Sequence, residues 1–195
     1  EMEAVNVKLL KQSETDQMTG LANRYRLNDY SDKVLDYCYE HRLPLAMEIL
    51  DIDFFKQYND NYGHQQGDEC IIAIADELKK MEDRQTFCAR YGGDEFIIIY
   101  AGISAEEVHA KAGALRQNIM NLKLEHLYSN ALPIVTISQG ISYGVPEEGN
   151  RSWDFLHTAD MLLYQVKKRS RNDICIADIR GQELDLSSKQ EKVEP

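Results

Sequence analysis

No stretch of this sequence approaches the roughly 18 to 20 apolar residues a membrane-spanning helix needs, so the segment is read as making no membrane contact. The acidic start at Glu1 has neither the basic nor the apolar region of a signal peptide. Cysteine is scarce: Cys38, Cys70, Cys88 and Cys175 stand far apart, with no C-x-x-C pair and no disulfide-framework spacing. They read as reduced thiols in a cytoplasmic protein. Positive charge is short too, with 22 Lys and Arg against 33 Asp and Glu and a formal net charge of −11. Such a field repels nucleic acid and anionic surfaces, so an anionic substrate must be met by a local basic patch or a metal ion. Internal repeats and low-complexity tracts are missing as well. What remains is 195 residues at 43% hydrophobic content, enough for one domain with a core and short appendages.

Residues 1–15 carry Met2, Val5 and Leu9 at helical spacing, which reads as the stump of a connector helix or as a frayed terminus. A polar turn from Asp16 to Arg24 leads into a helix with Tyr25, Tyr30, Val34 and Cys38 near helical spacing, and Asp16 and Arg24 have opposite charges that can pair across that turn. A strand follows Pro44, from Leu45 to Asp53, and then Phe54 to Asn61 reads as short helix or irregular chain. The segment from Tyr62 to Asp68 is expected to be a loop that opens a helix bearing Ile71, Ile74, Ala75 and Leu78 on one face. Apolar runs from Phe87 to Tyr91 and from Phe96 to Tyr100 flank a hairpin. Ser104 and Glu107 form a capping-box pair ahead of a helix with Val108, Ala112, Leu115 and Ile119. A strand from Ile134 to Tyr143, interrupted at Gly140, a helix from Trp153, and a short strand from Ile174 to Ala177 complete the order. This is an α+β domain over residues 16–178 whose mainly antiparallel sheet carries packed helices. Residues 179–195 read as a disordered polar tail.

Carboxylates gather at element ends. Strand alternation puts Leu45, Met47, Ile49, Asp51 and Asp53 on one face, apolar until it closes on two acids. Burying two carboxylates needs a cation, and the competing reading is a solvated strand end. The hairpin tip reads Arg90-Tyr-Gly-Gly-Asp94-Glu95-Phe96, where the glycines permit a tight turn and the close approach of a ligand. A solvated turn with no further role is the plain alternative. Asp68 near a helix start suits the dipole without any other function, and His64 beside Gly63 suits a loop hydrogen bond. The cluster Lys167, Lys168, Arg169 and Arg171 at a helix C-terminus likewise suits the dipole alone.

Taken together, these blocks resemble the GGDEF family of diguanylate cyclases over about Asp16 to Ala177. The resemblance is carried by Asp16-Gln-Met-Thr-Gly-Leu21 with Asn23-Arg24, Asp51-Ile-Asp-Phe-Phe-Lys56, Asn59-Asp60, Gly63-His64 and Gly67-Asp68. Gly92 to Phe96 and, downstream, Ser138, Gly140, Ala159-Asp160, Leu163-Tyr164, Lys167 and Arg171-Asn172 extend it. It implies a palm-like fold related to nucleotidyl cyclases and polymerases, and condensation of two GTP into cyclic di-GMP with release of two pyrophosphates. By similarity Asp51, the carbonyl of Ile52, and Asp94 hold metal, with Glu95 serving the second ion or deprotonation; the ions are Mg²⁺ or Mn²⁺, two per site. Asn59 and Asp68 take guanine, and the acid at Asp68 favours GTP. The amides near Phe54 and Phe55, with Lys56, Lys167 and Arg171, receive the phosphates; Lys56 also serves the transition state, and His64 lies near the substrate loop.

The resemblance further implies a homodimer in which two domains face each other, since one domain binds one GTP. It also implies an upstream sensory or receiver domain acting through the connector helix, so the segment is cytoplasmic, or the cytosolic part of a membrane-anchored sensor. A catalytically silent receptor for GTP or cyclic di-GMP, or a purely structural dimerisation domain, are the competing functions. Silent members generally lose a pentapeptide acid or the strand-end Asp, whereas Asp51, Asp94 and Glu95 are present. Three departures stand out. The Arg-x-x-Asp product-inhibition site of many members is replaced by Asp83 and Thr86, Ser170 stands for a usual glycine, and Gln139 for an apolar residue.

Overall fold

The computed structural model describes residues 14–184 and Leu186; the connector expected at 1–15 therefore lies almost wholly outside them. Among the described residues no helix is long and apolar enough to cross a membrane. The order is α1 (Arg24–His41), β1 (Leu45–Ile52), α2 (Phe55–Tyr62), α3 (His64–Met81), β2 (Thr86–Gly92), β3 (Glu95–Ala101), α4 (Ala105–Asn121), β4 (Ile137–Gly144), α5 (Ser152–Arg169) and β5 (Ile174–Asp178). The five strands form one sheet in the order β2-β3-β1-β4-β5. All neighbours are antiparallel except β4 and β5. The expected mainly antiparallel α+β architecture is what the chain adopts.

Strand β1 lies at the centre, and all eight of its residues are buried. Alternation divides them between two cores. Leu45, Met47 and Ile49 pack with Leu27, Val34 and Cys38 of α1 and Phe155 and Leu163 of α5. Ala46, Leu50 and Ile52 face Ile71 and Ile74 of α3 and Val108 and Leu115 of α4. Helix α4 begins with the expected capping box, Glu107 N–H to Ser104 Oγ at 3.2 Å and Ser104 N–H to Glu107 Oε2 at 2.9 Å.

Several local expectations change. Gly63, at φ 87°, joins α2 directly to α3, so no loop runs from Tyr62 to Asp68. Asp68 consequently sits past the first turn and caps nothing, since none of the acids lies in that turn. Strand β4 starts at Ile137 rather than Ile134 and runs through Gly140 without interruption, pairing it with both Ile49 and Cys175. The glycine is a packing requirement: a Cβ there would lie 2.2 Å from the Ala159 carbonyl and 2.3 Å from the Leu163 nitrogen of α5. The tail expected from residue 179 begins instead by folding back, with Gln182 carbonyl accepting from Asp178 N–H and Leu184 N–H donating to Ile176.

Candidate active site

Asp51 is the last acid of β1, and the ladder sets it directly opposite Glu95 at the start of β3. Directly paired side chains in an antiparallel ladder share a face, and like charges there are destabilising. One cation sits on the pair: Lys167 from α5 donates to Asp51 Oδ2 at 2.5 Å. Burial pushes the Asp51 carboxyl up to about 6; the Lys167 hydrogen bond opposes this, while Asp94 and Glu95 add to it. Asp94 is raised by burial against the pull of its own backbone, Lys167 and Arg90. Glu95 is raised by burial and then by Asp94. Three carboxylates that each hold protons too tightly, with one lysine between them, are short of positive charge.

The donor set is all oxygen, the kind a hard divalent cation takes. Among the described residues no three acidic, histidine or cysteine side chains already stand at metal-ligand spacing. Mg²⁺ rarely needs that, because it is commonly held by one or two carboxylates with waters and substrate phosphates filling the rest. The residues present therefore fit such an ion. Ile52 follows Asp51 with its side chain turned into the core, which leaves only its backbone available to the site.

Asp53 departs from its expected place. It is fully buried and turned away from Asp51: Thr136 Oγ1 (2.8 Å) and Ser138 Oγ (2.6 Å) donate to it, as does the Asn172 amide (3.0 Å), and Arg171 stands 3.6 Å off. The chain leaves β1 after Ile52, so the alternation that would have aligned the two acids ends before Asp53. Asp53 instead ties β4 to the turn after α5, where Arg171 and Asn172 both adopt positive φ. Ser170 stays at φ −136°, a conformation that needs no glycine.

Phe54 takes a left-handed conformation, φ 54° and ψ 34°, ahead of α2. The first intrahelical bond runs from Tyr58 N–H to the Phe54 carbonyl at 3.0 Å. The amides of Phe55, Lys56 and Gln57 are thus left without intrahelical acceptors, at the electropositive end of a helix. Arg171 lies over the Phe54 ring with its guanidinium carbon 4.2 Å from the centroid.

Beside this turn opens a cleft of about 580 Å³ lined by Phe55, Lys56, Asn59, Asp60, His64, Asp68, Ile71, Arg90, Gly93 and Asp94. Six residues expected at the site, Phe55, Lys56, Asn59, His64, Asp68 and Asp94, thus meet in one place. Asn59 Oδ1 is buried there without a partner, packed so near Gly67 that a Cβ on that glycine would fall 1.8 Å from it. Glu95 does not face this cleft. It lines a smaller cavity of about 280 Å³ with Ile49, Tyr91, Trp153, His157 and Asp160.

The hairpin tip is held by Arg90, whose importance the sequence reading missed. Its Nε and Nη2 donate to the Gly93 carbonyl at 3.2 and 2.8 Å, and its Nη1 reaches Asp16 Oδ1 at 3.3 Å. Asp16 therefore pairs with Arg90 and not with Arg24, which lies over the Tyr91 ring and donates to its hydroxyl at 2.8 Å. The only signal was a basic residue just ahead of the glycine pair. Gly93 takes φ 53°, and a Cβ at Gly92 or Gly93 would meet no protein atom, so the tip is open to a ligand.

Comparison with known proteins bears on this geometry. The family described as diguanylate cyclase, GGDEF domain, matches residues 13–173. The probable diguanylate cyclase DgcC of Escherichia coli is 34% identical over 168 residues, covering 85% of this chain and 43% of that protein. The response regulator PleD of Caulobacter vibrioides is 31% identical over 160 residues, covering 82% and 35%. The chain thus spans less than half the length of these curated relatives. Among solved structures, the GGDEF domain of DgcB from Caulobacter crescentus, in complex with c-di-GMP, superposes with a TM-score of 0.76 at 31% identity over 84% of this chain and 92% of that one. The active GGEEF domain of a diguanylate cyclase from Vibrio cholerae gives 0.68 at 30% identity, over 80% and 97%. Fold, cleft and comparisons agree, and the chain belongs to the GGDEF domain family of the diguanylate cyclases.

Proposed function

We propose that this domain is an active diguanylate cyclase, condensing two GTP into cyclic di-GMP and releasing two pyrophosphates. The observation that carries the reading is the crowding of Asp51, Asp94 and Glu95, all with raised proton affinity, beside a cleft bearing Asn59 and Asp68. Bound divalent ions, Mg²⁺ or Mn²⁺ and two per site, would activate the attacking 3′-hydroxyl and neutralise charge on the phosphates. Asp51, the Ile52 carbonyl and Asp94 would hold metal, and Glu95 would serve the second ion or receive the hydroxyl proton.

In this reading Asp68 and Asn59 orient guanine, the carboxylate accepting from the N1 and amino protons that adenine does not offer. His64 lines the same cleft. Lys56, Lys167, Arg171 and the amides after Phe54 receive the phosphates, with Lys56 placed to stabilise charge as it develops. Each domain holds one GTP, so the product requires a second copy facing the first, a twofold arrangement. An upstream sensory or receiver domain that sets the relative position of the two copies completes the proposal.

The deciding experiment incubates the protein with GTP and Mg²⁺ and looks for cyclic di-GMP. Formation of the product, abolished by Asp94→Ala, supports the reading. GTP binding without any product would make the domain a receptor instead.

A further inference from the structure

The Phe54 turn is costly. A left-handed conformation is disfavoured for a residue with a Cβ, and this one has no side-chain cap to offset it. Something else must hold it. The second lone pair of the Phe54 carbonyl faces His126 Nε2 at 3.0 Å, across a sequence separation of 72 residues. A carbonyl only accepts, so Nε2 carries the proton.

His126 comes from the connection between α4 and β4, where its own amide donates to the Pro133 carbonyl at 3.0 Å and its carbonyl accepts from Ser129 at 3.2 Å. The ring is fully buried, edge-on to Tyr58 at 5.1 Å and to Tyr62 at 6.2 Å. Its Nδ1 is buried without a hydrogen-bond partner. A phenylalanine would fill the same aromatic corner without that unpaired nitrogen, so packing alone does not account for an imidazole here. The Nε2 hydrogen bond does.

We infer that His126 is a positioning residue for the triphosphate end of the substrate. By holding the Phe54 carbonyl it fixes the turn that presents the amides of Phe55, Lys56 and Gln57 and the ring on which Arg171 rests. Asp53, one residue earlier, clamps the Arg171–Asn172 turn from the other side, so the two buried groups define the phosphate cradle jointly. The inference rests on the nucleotide reading above.

The test compares His126→Phe, which keeps the ring and removes the donor, with His126→Gln, whose amide reaches the same carbonyl. Binding of a GTP analogue non-hydrolysable between the α- and β-phosphates, and of GMP, is measured with Mg²⁺ by calorimetry or NMR titration. The expected result is about tenfold weaker binding of the triphosphate in His126→Phe, the worth of one hydrogen bond, with GMP binding unchanged and the triphosphate affinity restored in His126→Gln. His126→Asn, whose amide falls short, replaces the phenylalanine variant if that one does not fold. Unchanged triphosphate binding overturns the inference, as does a parallel loss for both ligands that tracks a lowered melting temperature. If the unaltered protein binds neither nucleotide, the nucleotide reading itself fails and this inference with it.

Discussion

Arg90 holds the carbonyl of Gly93 with two nitrogens of its guanidinium and Asp16 with the third, so the segment entering the domain and the tip of the acidic hairpin share one side chain. Lysine cannot reproduce that fork. Arg90→Lys should lower kcat about tenfold or more while leaving the melting temperature within a few degrees, because the lost contacts position Asp94 and do not build the core. Steady-state kinetics and a thermal melt check both halves.

The Asp51 carboxyl is raised from 3.8 to about 6. A carboxyl raised on folding favours the folded state at low pH, and that advantage is lost as pH climbs through the window between about 4 and 6, by up to about 3 kcal/mol in the absence of metal. Two outcomes follow. Asp51→Asn should melt higher than the unaltered protein at pH 8 without divalent ions, and should be inactive. The rise in melting temperature on adding Mg²⁺ should be larger at pH 8 than at pH 5, where a proton on Asp51 competes with the ion.

Asp83 and Thr86 occupy the positions of the product-inhibition site, and Lys111 donates to both, to Asp83 Oδ2 and Thr86 Oγ1 at 2.8 Å each. That hydrogen bond holds the Asp83 carboxyl below its ordinary range, so it stays anionic and repels a product phosphate. Calorimetry should detect no submicromolar binding of cyclic di-GMP at this position. Tight binding that disappears in Asp83→Ala would contradict the assignment.

Gln139 has a partner the sequence did not announce. Its Nε2 donates to Glu48 Oε1 at 2.7 Å and to the Ala112 carbonyl at 3.1 Å, while Tyr100 donates to Glu48 Oε2 at 2.8 Å. Glu48 is fully buried without a cation, which pushes its carboxyl up to about 7. Its folded-state advantage is present below about 4.5 and is lost as pH rises to 7. Glu48→Gln should therefore raise stability at pH 8 more than at pH 5. Gln139→Leu should lower it by about 2 kcal/mol because Glu48 Oε1 loses its buried donor; chemical denaturation at the two pH values measures both.

Phe55, Lys56, Asn59, His64, Asp68 and Asp94, singled out in linear motifs, line one cleft, and Lys167 reaches Asp51 beside it. Most helices and strands were legible as types too, because period and capping are local properties, but Phe55–Tyr62 was left open between short helix and irregular chain. Boundaries next to turns were not: Gly63 joins two helices where a loop was expected, and Ile52 ends β1 before Asp53 can align with Asp51. The first follows from the positive φ of Gly63, the second from the Thr136, Ser138 and Asn172 donors that take Asp53.

The sequence by itself determined the alternation of helix and strand, the acidic hairpin, and the placing of carboxylates at element ends, since these follow from side-chain period and from the backbone freedom of glycine. Only the tertiary structure decided partnership. It paired Asp16 with Arg90, Gln139 with Glu48, Lys111 with Asp83, and His126 with the Phe54 carbonyl, and it set Asp94 and Glu95 against different cavities. Three of these pairs link groups more than 70 residues apart. Charge and hydrogen-bonding capacity are properties of single residues, but which two of them meet is set by how the sheet is ordered and which helix covers which face.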